Sequence, residues 1–143
     1  MSQRFQKQQR QRRNNISTRA LLLLTALLLL PVLASLQLVR SLGPWILVGY
    51  IIVISCVTLW LYWHDKRQAE NNGWRTPEST LHLAEIIGGW PTAFFAQRAF
   101  RHKISKTSYQ VTFWAIVALH QAASFDFLHD WHYSRSALSL LHP

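Results

Sequence analysis

The sequence predicts an all-α integral membrane protein: three transmembrane helices plus a short cytoplasmic helical hairpin that re-enters the bilayer or lies in its interface. Three observations carry this. Apolar runs of about twenty residues recur, the length that crosses a hydrocarbon core of ~30 Å. Charge is spread very unevenly around them, with no Asp or Glu before Asp65 in a chain of net charge +9. A further apolar stretch, "EIIGGWPTAFFAQRAFRHK" at 85–103, is broken by Gly-Gly-Trp-Pro and closed by positive charge.

Residues 1–19 hold Arg4, Lys7, Arg10, Arg12, Arg13 and Arg19 among Gln and Asn, without apolar periodicity. They read as a disordered basic tail that keeps the N-terminus in the cytoplasm and touches anionic lipid. Nucleic acid is not an expected partner, because Phe5 is the only aromatic residue in the tail. The membrane domain follows over 20–143. Its first span, 20–39, carries no charge. The "LLPVLASLQ" segment has the small residues of a signal-peptidase site, but the long basic region and long apolar run favour an uncleaved span. "SLGP" makes the outer turn, and the second span occupies 44–63, with Trp60, Tyr62 and Trp63 as an inner aromatic belt. The lone Cys56 excludes an intrachain disulfide.

The second helix is expected to continue through "HDKRQAENNG" to a cap at Asn-Asn-Gly. At "TPES" a new helix begins, with Thr76 as cap, Pro77 in the first position and Glu78 at the positive end of the dipole. It is expected to run to Ile87, where Gly88 and Gly89 end it. Pro91 then opens a helix closing near His102, giving a hairpin over 77–103. Charge decides against a span here. A crossing at 81–100 would bury Glu85 and Arg98 and export Arg101, Lys103 and Lys106, against the positive-inside bias. Folding back leaves only Arg40 and Arg135 outside. A third span, 111–128, takes the C-terminus out, anchored by Trp131 and Tyr133.

The segments "YWHDKRQAE", "GWRTPESTLHLAEIIGGWP" and "FRHKISKTSYQ" resemble, in order and spacing, the DUF1294 family of small bacterial membrane proteins. The matching positions are Tyr62, Asp65-Lys66, Ala69, Arg75, Pro77-Glu78, Leu81, Gly88-Gly89, His102-Lys103 and Lys106, within roughly residues 60–120. The resemblance implies a multi-pass protein of the bacterial inner membrane and names no activity. Some members carry an N-terminal cold-shock domain; the first sixty residues here show no alternating strand pattern that would match one.

The fold-back brings polar residues to one level of the inner interface. Lys66, Arg75, Arg101 and Lys103 are suited to an anion, a lipid headgroup or phosphate, with Glu78 and His102 as candidates for proton transfer. Asp65 and Glu78 are the carboxylates for structural ion pairs with these cations. Glu78, His82 and Glu85 share a helical face and form a donor set for a divalent metal, although their spacing equally describes a polar face turned to water or paired with Arg98 and Arg101. No cofactor is expected. His120, in the middle of the third span, is an intramembrane polar residue whose simplest partner would be Ser55 or Thr58. Asp126, His129 and Asp130 share a face at the outer end, expected to be solvated.

No Ser or Cys has a nucleophile's surroundings, and there is no phosphate-binding Gly-rich loop. The leading expectation is therefore a binding, scaffold or regulatory protein with an anion site at the cytoplasmic interface, and not an enzyme. The alternatives are a membrane enzyme acting on a lipid headgroup and a small oligomeric transporter using His120. Lipid bilayer, anionic headgroups, further copies of the chain and a membrane protein are the partners this reading admits.

Overall fold

A computed structural model describes residues 17–71 and 73–141, with side chains described through residue 138. Most of the expected basic tail, positions 1–16, lies outside the described residues. The elements are α1 (Thr18–Leu42), α2 (Pro44–Glu70), α3 (Glu78–Ala84), a kinked turn (Glu85–Gly89), α4 (Trp90–Phe100), α5 (Thr107–Leu128) and α6 (His132–Leu141), with no strand among the described residues. Three of them, α1, α2 and α5, are long and apolar enough to cross a membrane.

Helix α1 opens at Ser17, whose Oγ accepts from the Ala20 N–H at 3.2 Å, and continues through Pro31. It ends at Gly43, where φ is +83° and Pro44 immediately starts α2. The outward surfaces of both helices are large apolar side chains such as Leu22, Leu29, Ile46 and Val53. Such a surface suits hydrocarbon and would be anomalous in water. Helix α5 packs along α1, while α2 packs on α4.

The fold-back is present, and its tip reaches the middle of α2. Helices α3 and α4 run in and out beside α2 and α5, so the core gathers in one half of the bundle. It consists of Tyr62 from α2, Leu81 from α3, Trp90, Ala93, Phe94 and Ala96 from α4, and Tyr109, Phe113 and Val117 from α5. The tip lies level with Thr58, near the middle of α2, because Gly89 is seated directly against that side chain. At the tip Gly88 takes φ +114°, a conformation open in practice only to glycine. The interrupted helix frees the Ile87 carbonyl, and the Tyr50 hydroxyl donates to it. Irregular backbone at membrane depth survives when protein groups satisfy it in this way.

Several local expectations are corrected. Pro77 is the cap residue and α3 begins at Glu78, while Thr76 instead lies 3.3 Å from His64 Nδ1. The regular α3 helix gives way to a wider π turn after Ala84, and helical backbone continues to Ile87, where Gly88 breaks it as expected. The third span begins at Thr107, four residues earlier than hydropathy placed it, because Tyr109 and Gln110 are drawn into the bundle by hydrogen bonds. Tyr62 is not an interfacial aromatic; it is fully buried. Asp126 is not simply solvated: it accepts from the Tyr133 and Ser134 amides at 2.9 and 3.2 Å and so fixes the start of α6.

Candidate functional site

Two polar clusters hold the hairpin to its neighbours, one at its tip and one at its mouth. The inner cluster surrounds Glu85, the first residue of the kinked turn, which is completely buried. Its Oε1 accepts from the Tyr62 hydroxyl and from the Tyr109 hydroxyl, the latter at 2.8 Å. Its Oε2 lies 2.7 Å from His82 Nδ1, and the His82 ring stacks on Tyr109 at 4.3 Å. Gln97 Nε2 donates to the Tyr62 oxygen at 3.0 Å, and Gln97 Oε1 accepts from Gln110 Nε2 at 2.7 Å. Side chains from α2, α3 and α5 thus converge on one carboxylate, and α4 joins them through Gln97. A buried carboxylate is tolerated because donors surround it; removal of one partner leaves the rest exposed to the full desolvation cost.

The outer cluster centres on Asp65, also fully buried, near the end of α2. His102 Nε2 stands 2.7 Å from Oδ2, Lys103 Nζ 3.5 Å from the same oxygen, and Arg75 Nε 3.5 Å from Oδ1. Lys103 also donates to Glu78 Oε1 at 2.7 Å, and Lys106 meets Glu78 Oε2 at 2.8 Å. Arg101 and Lys103 both have positive φ, 49° and 66°, and this sharp exit from α4 turns His102 and Lys103 back toward Asp65. Hydrogen bonds from Lys103 and then Lys106 pull the Glu78 carboxyl down to about 2, against a smaller opposing effect of burial.

The sequence-derived candidates therefore separate. Asp65, Arg75, Glu78, His102 and Lys103 come together at the mouth, whereas Lys66 pairs with Glu70 at 3.6 Å and lies over the Phe100 ring. Arg101 forms none of these ion pairs among the described residues. Arg98 does not pair with Glu78 or Glu85; it donates to the Phe94 carbonyl and covers that ring. The metal-type set is divided between clusters: Glu78 faces lysines, while His82 and Glu85 face each other and the tyrosines. Among the described residues no three His, Cys, Asp or Glu side chains gather as metal ligands. His120 is bonded neither to Ser55 nor to Thr58; its Nδ1 lies 2.9 Å from the Ile116 carbonyl one turn earlier.

Comparison with known proteins bears on this part of the molecule. The family model described as "Protein of unknown function (DUF1294)" matches residues 55–109. The chain is also 31% identical over 65 residues to the "Uncharacterized protein YsdA" of Bacillus subtilis (strain 168), covering 46% of this chain and 73% of that one. This chain belongs to the DUF1294 family. No solved structure matches it. The DUF1294 segment runs from the middle of α2 to the first turn of α5, and so contains both clusters apart from Gln110. Helix α1 and the His120 half of α5 lie beyond it.

Reasoning from sequence missed Tyr109, Gln97 and Gln110. Helical spacing gave one available signal: Glu85 lies seven residues after Glu78 and three after His82, so its face was legible as polar. The tyrosines that complete the site come from distant elements, and only the fold brings them in.

Proposed function

We propose that the chain is a binding or scaffold protein of the bacterial inner membrane, whose basic end, facing the cytoplasm, recognises an anionic lipid headgroup or another phosphate-bearing partner. The observation that carries this is the charge at the mouth of the hairpin. Arg75, Lys103 and Lys106 stand there against Asp65 and Glu78, and Lys66, Arg67 and Arg101 adjoin them in the chain. The carboxylates hold the hairpin in place, and cationic charge remains beyond what they neutralise. Arg75 and Lys106 keep about half of their side chains exposed, 51% and 54%. Each Lys or Arg near an anionic surface is worth about 1 kcal/mol. Binding is favoured over turnover because the groups available for proton transfer are both engaged, Glu78 by Lys103 and Lys106 and His102 by Asp65.

The test uses the full chain in detergent, titrated with phosphatidylglycerol and phosphatidylcholine and read by native mass spectrometry. Preferential retention of phosphatidylglycerol is expected. In the variant carrying Lys66→Gln, Arg75→Gln and Arg101→Gln that preference should fall by on the order of tenfold or more. Equal retention of the two lipids by the unsubstituted chain would overturn the reading.

A further inference from the structure

Because the hairpin rises only to the level of Thr58, the other half of the bundle has three helices where the first half has five elements. The space left is a cavity of ≈ 630 Å³ directly beyond the tip. That is within the range of sites that hold one small molecule, roughly 300–1,000 Å³. Gly88, Trp90 and Pro91 close it on the hairpin side, and its walls come from α1, α2 and α5. Most of the wall is hydrocarbon, including Val32, Ile51 and Ala123.

One wall residue sets a chemical requirement. His120 lines the cavity, and its ring is tilted against Trp90 at 6.4 Å. Its Nδ1 lies 2.9 Å from the Ile116 carbonyl. A carbonyl can only accept, so Nδ1 carries the hydrogen; in the neutral imidazole Nε2 is then an acceptor. A pure hydrocarbon would leave that acceptor unmatched in an apolar cavity, at a cost a hydroxyl group removes. Ser124 lines the same wall one helical turn further on.

We propose that this cavity is a binding site for a single-chain, membrane-soluble long-chain alcohol, its chain against the α1 and α2 walls and its hydroxyl donating to His120 Nε2. The site is independent of the basic end, from which the hairpin separates it. An alcohol fits where a fatty-acid carboxylate does not, since a carboxylate has no hydrogen to donate and brings a charge into hydrocarbon.

The test uses the full chain in lipid nanodiscs with a diazirine-bearing hexadecanol as the photoreactive probe. Crosslinks are expected on residues 28–38 of α1 and 120–127 of α5. Unlabelled 1-hexadecanol should suppress them at least fivefold more effectively than hexadecane or palmitate. Ala123→Trp, which fills the cavity, should abolish them. His120→Phe should keep the crosslinks but erase the preference for alcohol over hexadecane, and it decides the matter alone if Ala123→Trp does not fold. Crosslinks spread evenly over the lipid-facing helices, or equal competition by hexadecane, would mean ordinary bilayer lipid and overturn the proposal. Stronger competition by palmitate would overturn the assignment to an alcohol.

Discussion

Gly89 is where the depth of the hairpin is set. A Cβ there would stand 2.1 Å from Thr58 Oγ1 and 2.7 Å from the Ala84 carbonyl, distances no packed atoms keep. Gly89→Ala must therefore push the tip away from α2, and overpacking of this kind costs about 1–3 kcal/mol. Thermal unfolding in detergent should show a clear fall in melting temperature. The pair Gly89→Ala with Thr58→Ala should recover part of it, since the residues are in direct contact and their effects are coupled. Gly88-Gly89 was legible in the sequence as a break, but which glycine needed its backbone freedom and which needed its missing side chain was not. Gly88 has the positive φ and room for a Cβ at ordinary contact distance from Tyr50; Gly89 has an ordinary φ of −77° and no space. Tyr62 teaches the same lesson in reverse. In sequence it stands between Trp60 and Trp63 like any belt aromatic, and only the partner side chains Glu85 and Gln97 reveal it as buried.

At the scale of elements, α3 and α4 depend on their two polar clusters. Neither helix is long: 7 and 11 residues are too few to persist on helix propensity alone. Lys103 joins the two carboxylates of the outer cluster, meeting both Asp65 and Glu78, and so ties the exit of α4 to α2 and to the start of α3. Glu78 gives this latch a pH signature. Its folded-state carboxyl lies near 2, below its ordinary 4.5. The unfolded chain thus binds the proton more readily, and the stabilisation is complete above about 4.5 and lost as pH falls toward 2. In unfolding measured from pH 6 down to pH 2, Glu78→Gln should flatten the acid limb and lower stability at pH 6. An unchanged acid limb would mean that the lysines do not hold Glu78 in the folded protein. The existence and the short lengths of these helices followed from Pro77, Gly88-Gly89 and Pro91. Helix α6 did not announce itself, because its start depends on Asp126 reaching forward to the Tyr133 and Ser134 amides.

For the whole molecule, the three spans and the fold-back were readable because hydrocarbon thickness and charge asymmetry act on every residue at once. The cavity and the inner polar cluster were not, since both arise from where the hairpin stops. The central claim is that residues 78–100 enter and leave on one side. It is tested by single cysteines in a Cys56→Ser background. Trp74→Cys lies before the hairpin, at a position 90% exposed, and Ser105→Cys lies after it, also exposed. His132→Cys, exposed beyond α5, reports the opposite face. Sealed vesicles of known orientation are treated with a membrane-impermeant thiol reagent. The fold predicts that positions 74 and 105 react together or are protected together, with position 132 the reverse of both. Reaction at 74 with protection at 105, or the converse, would mean that the segment crosses the membrane. Asp65 would then lie on the opposite side from His102 and Lys103.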